Sequence, residues 1–598
     1  MKLIQSVVIS KQTFHETAKM YHAGFGIKFQ KRQQPPGKIR GIKDNRINGT
    51  GLGGQDLGKM ALVQSVTDNR GKIMLAVLTG VLLTAGFPVI GMACSAWVAL
   101  IFLLLAIRDI SPREGFMLGL LAGMVHYLTL VYWLVPTMRI YGYLPLSISI
   151  LLLILLAFYL ALYPAFFALL LAWTGRRPLL VLILAPVFWV SLEYLRTLLL
   201  SGFPWGLLGY TQAKHPGLIQ FADILGVYGV SALILFVNAA LLLVILAVSK
   251  KPWQGCRVRA WMAAAGSLAV LAALGVVLGY GNIRINAMDK RLAAAETLDV
   301  AVIQGNIGQL HKWDQRFRES TIQKYFDLSK TAENPSPALV IWPETAAPFY
   351  FDYNTELTER VLKGIEETNS YFIVGAPSVE FDHRQPRYYN SAYLIGPDGN
   401  VSGRYNKVHL VPFGEYVPFN EWLPFIDTLV AQVGSFDAGR RGDTIGWDDI
   451  RIGMLICYES IFPSLSVEMV RNGADFLVNI TNDAWFGKTS APYQHFSMAV
   501  FRAVENRRSL VRAANTGISG YIDPVGRVAG KSPLFETAVL SRGIPLIRDH
   551  ETFYTRHKDW LPVGCLIASG IIIVLQLFFK KSRHRWVLGI GNRRTPNT

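Results

Sequence analysis

Three polar segments of the 598-residue chain each follow an apolar, strand-like run, and each carries a residue capable of proton or acyl chemistry. In Ile341-Trp342-Pro343-Glu344 a carboxylate comes directly after a buried run, where desolvation suits a general base. In Tyr405-Asn406-Lys407, followed by Val408–Gly414 and Glu415, a Lys and a second Glu bracket an apolar stretch; alone, this also reads as an exposed edge strand. Cys457-Tyr458-Glu459 follows Arg451–Ile456 where a strand gives way to a helix. That placement predicts a helix dipole and free backbone N–H groups aimed at the sulfur, lowering the thiol pKa and offering an oxyanion site. Cys94, Cys256 and Cys565 lie in or beside apolar spans, so Cys457 has no evident disulfide partner in its own domain. Taken alone, Cys457 reads more readily as a small buried hydrophobe at a strand end than as a nucleophile.

The elements that must position these residues divide sharply by composition. About half the chain is hydrophobic (51%) and the formal charge is +18. Lys and Arg gather at the ends of apolar runs and in the N-terminal tail, without the basic and aromatic array that would bind nucleic acid. Eight runs approach the roughly 20 residues needed to cross a bilayer: Ile73–Pro88, Ala93–Ile107, Gly115–Val135, Leu144–Trp173, Leu179–Leu195, Leu225–Val248, Ala260–Tyr280 and Leu561–Phe579. The first two are short enough to form one re-entrant pair. Arg108 and Arg113, then Arg176 and Arg177, then Lys250, Lys251, Arg257 and Arg259, then Lys580, Lys581, Arg583 and Arg585 mark every second loop as basic. The alternate short loops hold only Arg139, Arg196 and Lys214. The positive-inside rule then places both termini in the cytoplasm and the polar block outside it.

The resulting organisation is a disordered basic tail over 1–72, seven spans over 73–283, an external polar block over 284–559, an eighth span over 560–579 and a basic tail over 580–598. Within the first tail, Gly49, Gly51 and Gly54 match a dinucleotide fingerprint. No strand precedes them and no helix follows, so the match is chance. In the external block, strand-like runs at Asp299–Gln304, Ala338–Trp342, Tyr371–Gly375, Ser391–Ile395, Arg451–Ile456 and Phe476–Ile480 alternate with helical Glu356–Asn369, Glu459–Gly473 and Gln494–Arg508. Runs apolar on both faces predict sheets covered on both sides, a layered α/β domain.

Taken together and in this order, Glu344, Lys407 and Cys457 resemble the Glu-Lys-Cys triad of the nitrilase, or carbon–nitrogen hydrolase, superfamily. That resemblance implies an α-β-β-α sandwich for the external block. Flanking spans and the segments Gln304–Trp313, Val411–Pro418, Cys457–Glu459, Asn482–Gly487 with Gln494 and His495, and Gly517–Gly520 resemble the apolipoprotein N-acyltransferase family.

That resemblance implies a two-step acyl transfer in a bacterial inner membrane, with a periplasmic catalytic domain. Glu344 is the base and Cys457 the nucleophile on the sn-1 ester of a phospholipid, phosphatidylethanolamine. Lys407 stabilises thiolate and oxyanion, helped by the backbone N–H of Tyr458. The thioester passes its acyl chain to the α-amine of an S-diacylglyceryl-cysteine apolipoprotein. Glu415 is expected to hold Lys407 and Glu459 to brace the loop. Trp313, Tyr416, Pro418, Trp422 and Trp485, with Phe425, are candidates for a lipid-facing rim. The apolar stretch Tyr416–Phe436 suggests a lid dipping into the membrane interface. No cofactor and no metal are implied: His311, His383, His409 and His495 lack ligand spacing. A monomer is expected. The alternative is a membrane-tethered amidase with water as second nucleophile; a transporter would instead lean on Glu193.

Overall fold

The computed structural model describes residues 69–590 except 176, 333–336, 383–384, 419–435 and 549, without the side chains of 310, 311, 382 and 579–590. The tail over 1–72 therefore lies almost wholly outside the described residues. So do Trp422, Phe425, most of the expected lid and His383.

The apolar runs form helices, the conformation that satisfies every backbone group within one segment. They are α1 (Asn69–Ala85), α2 (Ala93–Ala106), α3 (Pro112–Leu130), α4 (Leu134–Ile140), α5 (Leu146–Thr174), α6 (Val181–Leu198), α7 (Ala222–Val248) and α8 (Ala260–Ala294). Among the described residues five helices are long and apolar enough to cross a membrane, and α3 with α4 qualifies as a pair bent by 50°. The bend corrects the straight span expected over Gly115–Val135. Here α4 turns aside to meet the catalytic block: Thr137 Oγ1 donates to Trp485 O and Tyr141 OH to Ala484 O. Between the two helices Trp133 packs edge-on against Phe486. α3 and α5 approach closely at Gly119, where a Cβ would lie 2.4 Å from Pro164 O. α8 runs past the expected end at Tyr280, because its later turns have partners. Arg284 pairs with Asp223, and Met288 packs with Val525 and Ile547. A boundary between residues 283 and 284 therefore falls inside one continuous helix.

The polar block forms two six-stranded sheets. The first contains β1 (Thr297–Gln304), β2 (Leu339–Ile341), β3 (Tyr371–Asp382), β4 (Gln385–Ile395), β5 (Val401–Asn406) and β12 (Ala538–Pro545), in the order β12-β1-β2-β3-β4-β5. The second contains β6 (Ile445–Trp447), β7 (Ile450–Ile456), β8 (Phe476–Thr481), β9 (Leu510–Ala514), β10 (Gly520–Ile522) and β11 (Val528–Lys531), in the order β11-β10-β9-β8-β7-β6. In each sheet the three central strands, β1-β2-β3 and β7-β8-β9, run parallel.

Strand alternation makes the layers. In β1, Val300 and Val302 face the same apolar cluster as Ile452, Met454 and Val478 of the second sheet. Ala301 and Ile303 face a separate cluster with Ile322 and Phe326 of α9 (Arg318–Ser329) and Val361 and Ile365 of α10 (Thr355–Glu366). On the outer side of the second sheet lie α11 (Pro463–Arg471) and α12 (Ala491–Asn506). α12 is buried almost throughout because it lies between that sheet and the apolar helix α7. The last described element is α13 (Trp560–Ile590), longer than the span expected to stop at Phe579.

Candidate active site

Glu344, Lys407 and Cys457 follow β2, β5 and β7 respectively, so strands from both sheets deliver them to one buried place. Gly375 of β3 permits the turn that carries Glu344. A Cβ there would sit 2.4 Å from Pro343 O and 2.8 Å from Glu344 Cα. The Glu344 carboxylate is fixed at both oxygens: Asn390 Nδ2 donates to Oε1 at 2.7 Å and Asn482 N to Oε2 at 2.8 Å. Lys407 Nζ lies 3.7 Å from Glu344 Oε1 and 2.9 Å from Glu415 Oε1. Asn390 Nδ2 also donates to Glu415 Oε1 at 2.8 Å, and Val411 N to its Oε2.

Lys407 is 1% exposed, although β5 is an edge strand as the bland reading of that segment supposed. Burial disfavours its charge, but Glu415, Glu344 and Cys457 outweigh that cost and raise the ammonium pKa.

Cys457 is 7% exposed and opens a five-residue 3-10 turn, not an α-helix, with φ at +52°. The expectation of a thiol activated by a helix dipole is thus corrected. Burial and then the charge of Glu344 push the thiol pKa up, against the opposing pull of Lys407. A turn this short has little dipole to offer. Glu459, expected to brace the loop, accepts from Ile456 N, Val408 N, His409 N and Tyr405 OH, tying the Cys457 turn to the Lys407 segment. Burial pushes its carboxyl up to about 7 while those backbone donors pull it back.

Beneath the turn, His495 Nε2 faces Cys457 O at 3.1 Å and Ser460 Oγ at 2.9 Å. Since the carbonyl only accepts, Nε2 carries a proton towards it, while Nδ1 lies between Arg512 Nη2 at 2.9 Å and the Asp483 carboxylate Oδ1 at 3.0 Å. Arg512 is paired with Asp483 at 2.8 Å.

The aromatic candidates scatter. Trp313 is 46% exposed and Trp485 40%, the latter edge-on to Tyr141. Tyr416 and Pro418 are half-buried, and Tyr458 is buried against Phe462, its OH donating towards Gly202 O. Three participants were not singled out from sequence: Asn390, His495 as a prop for the cysteine, and Lys312. Asn390 sits in a strand without charge or spacing to mark it. The other two lie in segments that carry the family likeness.

Residues 79–240 match the apolipoprotein N-acyltransferase N-terminal domain, and residues 299–548 match the carbon-nitrogen hydrolase domain. An apolipoprotein N-acyltransferase of Geobacter metallireducens is 44% identical over 512 residues, covering 86% of this chain and 96% of its own. Another, from Methylococcus capsulatus, is 35% identical over 513 residues, with 84% and 95% covered. Among solved structures, a Saccharomyces cerevisiae member of branch 10 of the nitrilase superfamily aligns with 42% of this chain and 90% of its own. Its identity is 18% and its TM-score 0.33. With both domain matches in register and near-complete coverage by relatives well above 30% identity, the chain belongs to the apolipoprotein N-acyltransferase family.

Proposed function

We propose that the chain transfers the sn-1 acyl chain of a phospholipid, phosphatidylethanolamine, to the α-amine of the N-terminal S-diacylglyceryl-cysteine of an apolipoprotein. The observation that carries this reading is the buried juxtaposition of Glu344, Lys407 and Cys457 in a domain packed on apolar helices. A thiol pushed up by burial needs a base to ionise it, and Glu344 is oriented for that work at both oxygens.

Glu344 takes the thiol proton as Cys457 attacks the ester carbonyl, and the lysophospholipid leaves with that proton. Glu344 then takes a proton from the incoming amine, which attacks the thioester and frees the cysteine. Lys407, held by Glu415, stabilises thiolate and tetrahedral oxyanion together with the Tyr458 N–H. Trp313, Tyr416, Pro418 and Trp485 contact lipid at the rim. The helices α1–α8, counting the bent α3–α4 pair once, form seven spans and α13 the eighth. The basic loops orient the catalytic block to the periplasmic side of a bacterial inner membrane, and the enzyme works as a monomer.

A hydrolase using water is disfavoured because the family likeness extends through the membrane helices, which an amidase does not need. Incubation with phospholipid labelled in the sn-1 chain should give a hydroxylamine-sensitive thioester on Cys457, discharged by an apolipoprotein peptide. Absence of label on Cys457 rejects the reading, and discharge to water alone turns it into the hydrolase.

A further inference from the structure

The active site holds a second buried lysine that the mechanism above does not use. Lys312 ends the short helix Gln309–Lys312 after β1 and is 1% exposed. Its Nζ donates at 2.8 Å to the backbone carbonyl of Glu344, the residue that must act as base. Among the described residues no carboxylate lies within ion-pair distance of that ammonium, so the lysine is not half of a structural salt bridge.

Burying an ammonium with one carbonyl partner is unfavourable unless nearby charge compensates it. The charge of Glu344 is what stabilises it here, joined by Cys457 once the thiol ionises, and burial still brings its pKa down to about 8. The balance of charge around the site gives that lysine its task. Lys407 is shared by two carboxylates, Glu415 at 2.9 Å and Glu344 at 3.7 Å. One ammonium against two carboxylates leaves the pocket one negative charge in excess, next to a thiol that must itself become negative. Asp483, the other acid whose charge bears on Cys457, has Arg512. Glu459 has its own donors.

We propose that Lys312 is the second cation of the active site, a positioning residue that holds the Glu344 turn through its carbonyl and neutralises the pocket in which the Cys457 thiolate forms. This rests on Cys457 and Glu344 acting as nucleophile and base. The groups facing Lys312 are Glu344 on the turn after β2 and Cys457 after β7; Lys407 and Glu415 lie beyond Glu344. Removing the lysine's charge therefore raises the cost of every anionic state at the sulfur.

The test uses full-length protein in detergent with phospholipid labelled in the sn-1 chain, following single-turnover thioester formation from about pH 6 to about pH 10. Site-resolved alkylation of Cys457 by iodoacetamide is measured in parallel. The wild type should lose rate above about pH 8 as Lys312 gives up its proton. Lys312→Met should be slower by roughly 10- to 100-fold at neutral pH, without that fall, and its Cys457 should be alkylated more slowly than that of the wild type at each pH below about 8. Lys312→Arg keeps its charge across the range, so it should retain most of the rate and remove the fall near pH 8. Equal losses in the Met and Arg variants at every pH, with wild-type limbs preserved, would overturn the charge role. A Met variant as fast as wild type would do the same. A wild type without thioester whose Cys457 alkylation nevertheless slows in Lys312→Met rejects the acyl-enzyme reading and leaves the second cation standing.

Discussion

Cys457 keeps its proton at neutral pH, since burial and the neighbouring Glu344 both oppose a resting thiolate. In the proposed reaction the nucleophile is therefore made only when the base and substrate are in place. What makes it affordable is the fixed chain Asn390–Glu344–Lys407–Glu415, in which each carboxylate has three identified donors or cations. Glu415 is the member that pins Lys407 without touching the sulfur. Glu415→Gln should lower the rate of thioester formation by about 10²-fold, because the ammonium then has only Glu344 at 3.7 Å to hold it. Single-turnover labelling measures this directly, and an unchanged rate would refute the assignment. Lys407 and Glu415 are eight positions apart in the sequence and meet at 2.9 Å. That proximity was legible, whereas Asn390 was not, since an amide inside a strand gives no signal until its neighbours are known.

At the scale of elements, each residue of the proposed triad is delivered by a strand end, and the tolerance of that delivery is small. β3 contributes no reacting group, yet Gly375 sets how closely it passes the Glu344 turn. Gly375→Ala would force a methyl group against Pro343 O and Glu344 Cα. It should cost about 1–3 kcal/mol of stability and depress thioester formation further than the stability loss alone explains. Thermal unfolding and labelling of the same preparation separate the two effects. The 3-10 turn at Cys457 shows why periodicity misreads such places. Glu459–Gly473 reads as one helix, but Glu459 is drawn inward by four donors and Pro463 restarts the helix as α11. The short strands β10 and β11 were also missed, at three and four residues, because runs of that length carry too little alternation to register.

In the whole molecule the catalytic block and the apolar helices are joined by buried charge. Arg507, in a left-handed turn after α12, donates to Asp223 and to Gln220 O near the start of α7, and Arg284 of α8 pairs with the same Asp223. Glu505 accepts from Val227 N just past the break at Gly226, so the α/β block supplies an N-terminal cap to an apolar helix. Burial pushes the Glu505 carboxyl up to about 7. Asp223→Ala should leave two arginines without their carboxylate and cost about 3–5 kcal/mol. The measurement is the unfolding midpoint of the full chain in detergent, and an unchanged midpoint would show that this junction carries no stability. None of these partners could be matched from the sequence, because Asp223 and Arg507 are separated by most of two domains.

Hydrophobic run length, the change of composition near residue 284 and the order of Glu344, Lys407 and Cys457 were determined by the sequence itself, because burial in apolar surroundings and strand alternation act locally along the chain. They suffice for an apolar helical part, a layered α/β block and a reacting trio. The tertiary structure alone decided the charge state of the thiol, the bend between α3 and α4, the extension of α8 and the arrival of Lys312 behind Glu344. Each of those depends on how deeply a group is desolvated and which charges face it, and both are set by segments brought together from far apart in the chain.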